Sequence, residues 1–188
     1  MRRSLALVVL FALFACRTGR PAGAAVLPLD ATSVEDARQQ LRERRANFHG
    51  MSSLMHVRAT RNRQTQSFRA HLTVHDARRM EMTVFTPLGT AALVMKADGD
   101  VITSTPPVPA SSFDFLRASG LVPAEVGMLL LGVPPRDDLD VEVALTGIAS
   151  ARADGITVMF DPPAFPAKRV IVTRGSDRVE IEHIEVTQ

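Results

Sequence analysis

The chain has 188 residues, with 22 lysine and arginine side chains against 20 aspartate and glutamate side chains. Two of the basic residues stand at positions 2 and 3, so the rest of the chain is electrically balanced. No basic stripe with interleaved aromatic residues indicates nucleic-acid binding. Tryptophan and tyrosine are both absent, which argues against a sugar-binding or aromatic-caged site. Beyond its N-terminal segment, the chain is long enough for one domain.

Residues 1–15 have the composition of a secretory signal peptide. Arg2 and Arg3 precede an apolar run from Leu5 to Ala15. As a helix this run would rise about 16 Å, which is too short to cross a hydrocarbon core of about 30 Å. Cys16 follows at once and is the only cysteine of the chain, so no intrachain disulfide can form.

The end of the signal, Leu13-Phe14-Ala15-Cys16, resembles the lipobox of bacterial lipoproteins. This resemblance implies cleavage before Cys16 and attachment of lipid to that cysteine. Residues 16–31 contain glycine, proline and alanine with few charges, so they are expected to form a flexible linker. The alternative is an ordinary signal peptide that is cleaved later, after Ala22 or Ala25.

The domain is expected to cover residues 32–188 and to begin with a helix. Thr32 and Glu35 have the spacing of a capping box, and residues 47–50 can end the helix. The apolar period then changes from near four to two, which predicts antiparallel strands. Turn sequences at Thr86-Pro87-Leu88-Gly89 and Asp98-Gly99-Asp100 separate some of them. The strands are predicted at residues 51–60, 64–75, 79–86, 90–96 and 101–104.

A helical insertion is predicted next. The proline-rich residues 105–109 cannot lie inside a sheet, because proline lacks the ladder donor. Pro123 suits the first turn of a helix that runs to Leu131 and stops at Gly132. Apolar residues change parity in the last strand, which predicts a bulge near Glu182-His183. The later strands are predicted at residues 139–146, 155–160, 168–173 and 178–186.

No catalytic or metal-binding set is recognisable. His71 and His75 would share a face of a helix, but on a strand they lie about 13 Å apart. A zinc–nitrogen bond is about 2.1 Å long, so the two rings cannot bind one ion. The chain also lacks a Gly-x-Ser-x-Gly motif and a phosphate-binding glycine-rich loop. We therefore expect a protein that is not an enzyme and that needs no cofactor or metal.

Three segments, in this order along the chain, resemble the LolB family of outer-membrane lipoprotein receptors. They are Thr86–Val94 followed by Asp98-Gly99, then Gly120–Pro134, and then Pro163–Ala167. The resemblance places the chain in the LolA/LolB superfamily. It implies a mainly β (α+β) fold, a half-closed antiparallel β-barrel of about nine to eleven strands. An N-terminal helix and a short helical insertion would cover its concave face.

The resemblance also implies a function. LolB proteins receive lipoproteins from the soluble carrier LolA and insert them into the outer membrane. We therefore expect a monomer, anchored to the outer membrane and facing the periplasm; Arg17, after the anchor, fits the enteric sorting rules for this membrane. The membrane-insertion loop would be Pro87, Leu88 and Gly89, with Leu88 at its tip. The alternative is that the Leu88 side chain folds back onto the core.

The expected hollow would hold acyl chains against the apolar face of the strands. Methionine is unbranched and adapts to irregular partners, so methionines suit such a hollow, or they simply fill the core. Two other functions remain open: a transfer lipoprotein for glycolipid or phospholipid, and a structural adaptor with a solid core. The acyl-cavity candidates are Leu72, Val74, Met80, Met82, Val84, Leu93, Met95, Met128, Leu129, Val143 and Val158.

Overall fold

A computed structural model of the chain describes residues 24–109 and 120–188. The expected signal peptide, the lipid attachment at Cys16 and the first part of the linker lie outside the described residues. Those three expectations stay predictions.

One ten-stranded antiparallel sheet forms the body of the protein, in the order β5-β4-β3-β2-β1-β10-β9-β8-β7-β6. Among the described residues, β5 and β6 are its two edges and do not pair with each other, so the sheet stays open. The predicted half-closed, mainly β fold is confirmed. The strands are β1 (Met51–Arg61), β2 (Gln64–Val74), β3 (Arg79–Phe85), β4 (Ala91–Asp98), β5 (Val101–Thr105), β6 (Asp140–Ala144), β7 (Gly147–Ala153), β8 (Ile156–Phe160), β9 (Arg169–Arg174) and β10 (Asp177–Thr187).

Helix α1 (Val34–Ala46) precedes the sheet and is capped one residue later than predicted. The cap is Ser33, whose hydroxyl accepts a hydrogen bond from the Asp36 N–H at 3.1 Å. Thr32 instead donates its own N–H to the Asp36 carboxylate at 2.9 Å. The Asp36 carboxylate therefore binds the N–H of the residue before the cap and not that of Ser33, so the predicted capping box is not formed. Asn47 ends the helix, as predicted.

Alternating side chains of the strands give the sheet one apolar face, which we call the inner face. In β2, Ala70, Leu72 and Val74 are buried on it, whereas the residues between them are more exposed. Helix α2 (Pro123–Leu130) packs on this face and contacts β2, β3 and β4. The core of the protein therefore lies between the inner face and both helices, and Leu41 of α1 belongs to the same buried cluster as the residues under α2.

Two predictions concern the second half of the sheet, one on a strand and one on a bulge. One strand was predicted over residues 139–146. In the structure, β6 ends at Ala144, and a tight turn at Leu145-Thr146 leads into β7, a strand that was not predicted. The predicted bulge is confirmed. Leu54 pairs with Glu185 while Met55 pairs with His183, so Ile184 is the extra residue in β10.

Candidate acyl-binding site and a neighbouring cavity

The contact between α2 and the inner face is unusually close at Gly127. A Cβ atom built on Gly127 would lie 2.7 Å from Cγ2 of Val74, 3.5 Å from Sδ of Met80 and 3.7 Å from Cδ1 of Leu72. The first distance is shorter than real Cβ contacts, so only glycine allows the helix to approach the strands this closely. The inner face and α2 are therefore fitted to each other at this point.

The end of α2 is also held in place by backbone contacts. The Val133 N–H donates to the Met128 carbonyl at 3.0 Å, which closes the last turn. The Leu131 carbonyl accepts a hydrogen bond of 3.2 Å from the Ala167 N–H, in the segment between β8 and β9. Gly132 has a φ of +90°, a conformation that favours glycine. The insertion is thus attached to the second half of the sheet by its C-terminal end.

Most acyl-cavity candidates are brought together, but as a packed core. Each of the seven fully buried candidates is at most 6% exposed, so within the described residues they pack against protein atoms. Three others, Met82, Val84 and Val143, are half-buried and pack against that cluster. Leu93 is half-buried in β4. The buried seven are Leu72, Val74, Met80, Met95, Met128, Leu129 and Val158.

The turn between β3 and β4 presents Leu88 to solvent. The Gly89 N–H donates to the Thr86 carbonyl at 2.9 Å, and the Thr86 N–H donates to the Thr90 carbonyl at 2.8 Å. Gly89 has a φ of +82°, as the turn sequence predicted. Leu88 lies at the tip with 92% of its surface exposed. Its side chain therefore does not fold back onto the core.

A polar pair lies beside these apolar residues, with Ser53 buried and His183 half-buried. The Ser53 hydroxyl is 2.7 Å from Nδ1 of His183, across the seam between β1 and β10. Burial lowers the pKa of His183 from 6.5 to about 4, and the backbone of Leu130, at the end of α2, opposes this shift only in part. Nε2 of His183 is buried without a hydrogen bond of good geometry in the described part of the chain. The pairing of β1 with β10 brings Ser53 and His183 together.

A separate cavity of about 500 Å³ lies beside the C-terminal half of α1. Sequence reasoning missed it, because its walls come from distant parts of the chain. The guanidinium of Arg44 lies over the ring of Phe165, with 5.2 Å between the guanidinium carbon and the ring centroid. Both residues line the cavity, together with Phe48, His49, Met51 and Val133.

The described residues contain neither a cluster of metal-ligating side chains nor a helix that could span a membrane. Nowhere in residues 24–109 and 120–188 do three or more His, Cys, Asp or Glu side chains come together as a metal site. Over the same ranges, no helix has the length and apolar character needed to span a membrane.

Comparison with known proteins supports the fold. No protein-family model and no curated protein matches the sequence. A DUF1329 family protein from Desulfovibrio piger has a similar structure, with a TM-score of 0.50 and 8% identity over 82% of this chain and 92% of that one. With the strand order above, this likeness confirms the fold that the LolA/LolB resemblance implied.

Two further structures are similar at a lower level. A LolA superfamily protein from Nitrosomonas europaea has a TM-score of 0.49 and 8% identity over 84% of this chain and 94% of that one. A putative outer membrane lipoprotein-sorting protein domain from Vibrio parahaemolyticus has a TM-score of 0.45 and 9% identity over 80% of this chain and 90% of that one. We draw no conclusion from these two.

Proposed function

We propose that this chain is a lipid-anchored protein of the outer membrane that faces the periplasm. It binds the acyl chains of lipoproteins, delivered by a LolA-like carrier, and helps insert them into the membrane. The acyl chains occupy the space between α2 and the inner face, and Leu88 enters the bilayer during transfer. The transfer is an exchange of apolar contacts and involves no covalent chemistry.

The observation that carries this proposal is the close apolar contact between α2 and the inner face over β2, β3 and β4. Helix α2 has only eight residues. Displacement of α2 would uncover Leu72, Val74 and Met80. An acyl chain that replaces the helix exchanges one apolar contact for another, at about 0.8 kcal/mol per methylene. The net free energy of exchange is therefore small, as a carrier that must also release its cargo requires.

Methionines are concentrated at this contact. Met80 and Met95 lie on neighbouring strands, and Met128 faces them from α2 within the same buried cluster. Their unbranched side chains change shape at little energetic cost. They can therefore pack against α2 in one state and against acyl chains of different lengths in the other.

Leu88 supports the second half of the proposal. Leu88 is almost fully exposed to water, and the transfer of such a leucine to an apolar phase is favourable by about 2 kcal/mol of free energy. The turn that presents it is fixed by the hydrogen bonds between Thr86, Gly89 and Thr90. The protein therefore does not lose chain entropy to bring this side chain to the bilayer.

A disulfide across the contact tests whether α2 must move. A side-chain atom at position 127 would fall near the γ position of residue 74, which suits a disulfide between Gly127→Cys and Val74→Cys. With Cys16→Ser, these two are the only cysteines of the chain. We expect the oxidised protein to lose binding of a fluorescent diacylated lipopeptide, which resembles the proposed lipoprotein cargo, and to regain it on reduction. Cys16→Ser alone, measured in oxidising and reducing buffer, is the matched control.

The outcomes separate the proposed function from its rivals. Equal binding by the oxidised and reduced proteins would place the acyl chains elsewhere and contradict the proposal. Absence of binding in every form, including the control, would favour a structural adaptor with a solid core. Lipoprotein transport and glycolipid or phospholipid transfer are distinguished by mass spectrometry of the lipid that co-purifies with the chain. Recovery of only glycolipid or phospholipid would contradict lipoprotein transport.

A further inference from the structure

The four arginines of α1 are not equivalent. Arg38 and Arg42 form ion pairs with Glu35, at 3.4 Å and 3.2 Å. Arg45 forms an ion pair of 2.7 Å with Asp137. Arg44 has no carboxylate partner within the described part of the chain, and its guanidinium lies over the Phe165 ring. Arg44 is thus the arginine of α1 that lacks a carboxylate partner in the described residues, and it is also the arginine of α1 that lines the cavity.

The cation–π contact leaves the hydrogen-bonding capacity of Arg44 available. A ring face takes up none of the five N–H donors of a guanidinium. Phe165 is almost fully buried, so its ring is a fixed support. The geometry therefore holds a fork of donors at the cavity, in the form that suits a carboxylate or a phosphate.

The rest of the cavity lining is partly polar, from Gln40, Asn47, His49 and Gln188, and partly apolar. Phe48, Met51 and Val133 contribute apolar walls, and Met51 and Val133 belong to the buried core. The volume of about 500 Å³ lies within the usual range for small-molecule sites. Glu43 is the acidic side chain at the cavity, and its carboxylate accepts a hydrogen bond of 2.9 Å from the Gln39 amide along the helix. A cation beside an apolar wall matches a ligand that has an anionic head group and an apolar chain.

We propose that this cavity binds an anionic single-chain amphiphile. The anionic head, a carboxylate or a phosphate, pairs with Arg44, and the first methylenes of the chain pack against Phe48 and Met51. The cavity shares none of the acyl-cavity candidates on the inner face. This inference is therefore independent of the function proposed above.

The test compares ligands that share a chain and differ in the head. Laurate and monolaurin, below their critical micelle concentrations, are titrated calorimetrically into the full chain carrying Cys16→Ser. Inorganic phosphate is titrated as an anion without a chain. We expect laurate to bind roughly tenfold more tightly than monolaurin, because a charge-assisted hydrogen bond contributes about that factor. Inorganic phosphate should bind more weakly than laurate.

Two adjacent arginines supply the variants. Arg44→Gln should abolish the preference for laurate over monolaurin. Arg45→Gln, which removes the same charge from the next residue of α1, should retain it. Circular dichroism checks that both variants keep the fold. The oxidised variant with cysteines at positions 74 and 127 should also retain the preference, so this site and the inner-face site can fail separately.

Three results would overturn the inference. The first is equal affinity of the parent protein for laurate and monolaurin. The second is a preference for laurate that survives Arg44→Gln. The third is binding of inorganic phosphate as tight as that of laurate, which would show a simple anion site in which the apolar walls play no part.

Discussion

Ser53 and His183 form a hydrogen bond of 2.7 Å inside the core, between the two central strands β1 and β10. Desolvation favours the neutral ring at this place and lowers the pKa of His183 to about 4. A neutral imidazole is one donor and one acceptor, so Nδ1 can accept from the serine hydroxyl. The folded protein therefore favours the uncharged form of His183.

This pair predicts that the free energy of unfolding falls in mild acid. The pKa of His183 is lower in the folded state, about 4, than its ordinary value of 6.5. The contribution of the His183 ring to the free energy of unfolding is thus complete above pH 6.5 and is lost as the pH falls toward 4. We expect a loss of about 2 kcal/mol between pH 7 and pH 5, measured by urea unfolding.

The control for this prediction is a second histidine. His183→Gln should lower the free energy of unfolding at pH 7. It should also remove most of the decrease in that free energy between pH 7 and pH 5. His75→Gln, at an exposed position after β2, should leave that loss unchanged. A stability that does not change from pH 7 to pH 5 in the parent protein would contradict a buried neutral ring.

Leu88→Glu should leave folding and acyl binding unchanged and impair delivery to membranes. The side chain is 92% exposed, so glutamate meets no steric or desolvation cost in the free protein. A carboxylate at the turn tip opposes entry into the bilayer. Transfer of an acylated peptide from the protein to liposomes measures the effect.

Val101→Glu is the matched control for Leu88. Val101 is 66% exposed and begins β5, at the opposite end of β4 from the Leu88 turn. Its replacement should leave delivery intact. Normal delivery by Leu88→Glu would remove this leucine from the mechanism, and equal impairment by Val101→Glu would reduce the effect to general surface charge.

Gly127→Ala should destabilise the protein by about 1–3 kcal/mol, because the added methyl group would overlap Cγ2 of Val74. Val74→Ala removes that atom. In the double variant we therefore expect the loss to be smaller than the sum of the two single losses. Urea unfolding of the four proteins measures this coupling. Strictly additive losses would mean that α2 does not press on Val74.

The alternating strands could be predicted from the sequence because their period is plain. In the second half of β2, each second residue is buried, which the spacing of Ala70, Leu72 and Val74 already indicated. β7 was missed because its alanine, serine and arginine residues have weak strand preference, and pairing with β6 and β8 overrides that preference. The helix cap was displaced to Ser33 because Thr32 and Ser33 are both good capping residues.

The candidate site could be predicted only where it depends on local sequence. The exposed tip at Leu88 follows from the turn formed by Pro87 and Gly89. The stacking of Arg44 on Phe165 joins residues from α1 and from the segment between β8 and β9, and no spacing in the sequence indicates it. The same holds for Ser53 and His183, which only the register of β1 and β10 brings together.

Photo-crosslinking with a diazirine-labelled fatty acid tests the central claim most directly. The full chain carrying Cys16→Ser is irradiated with the probe, and the modified residues are identified by mass spectrometry. The account predicts labels on both sides of the displaced helix contact, at Leu72 or Met80 in the sheet and at Met128 in α2. Labels confined to the cavity beside Arg44, or to the outer surface, would contradict acyl binding between α2 and the inner face.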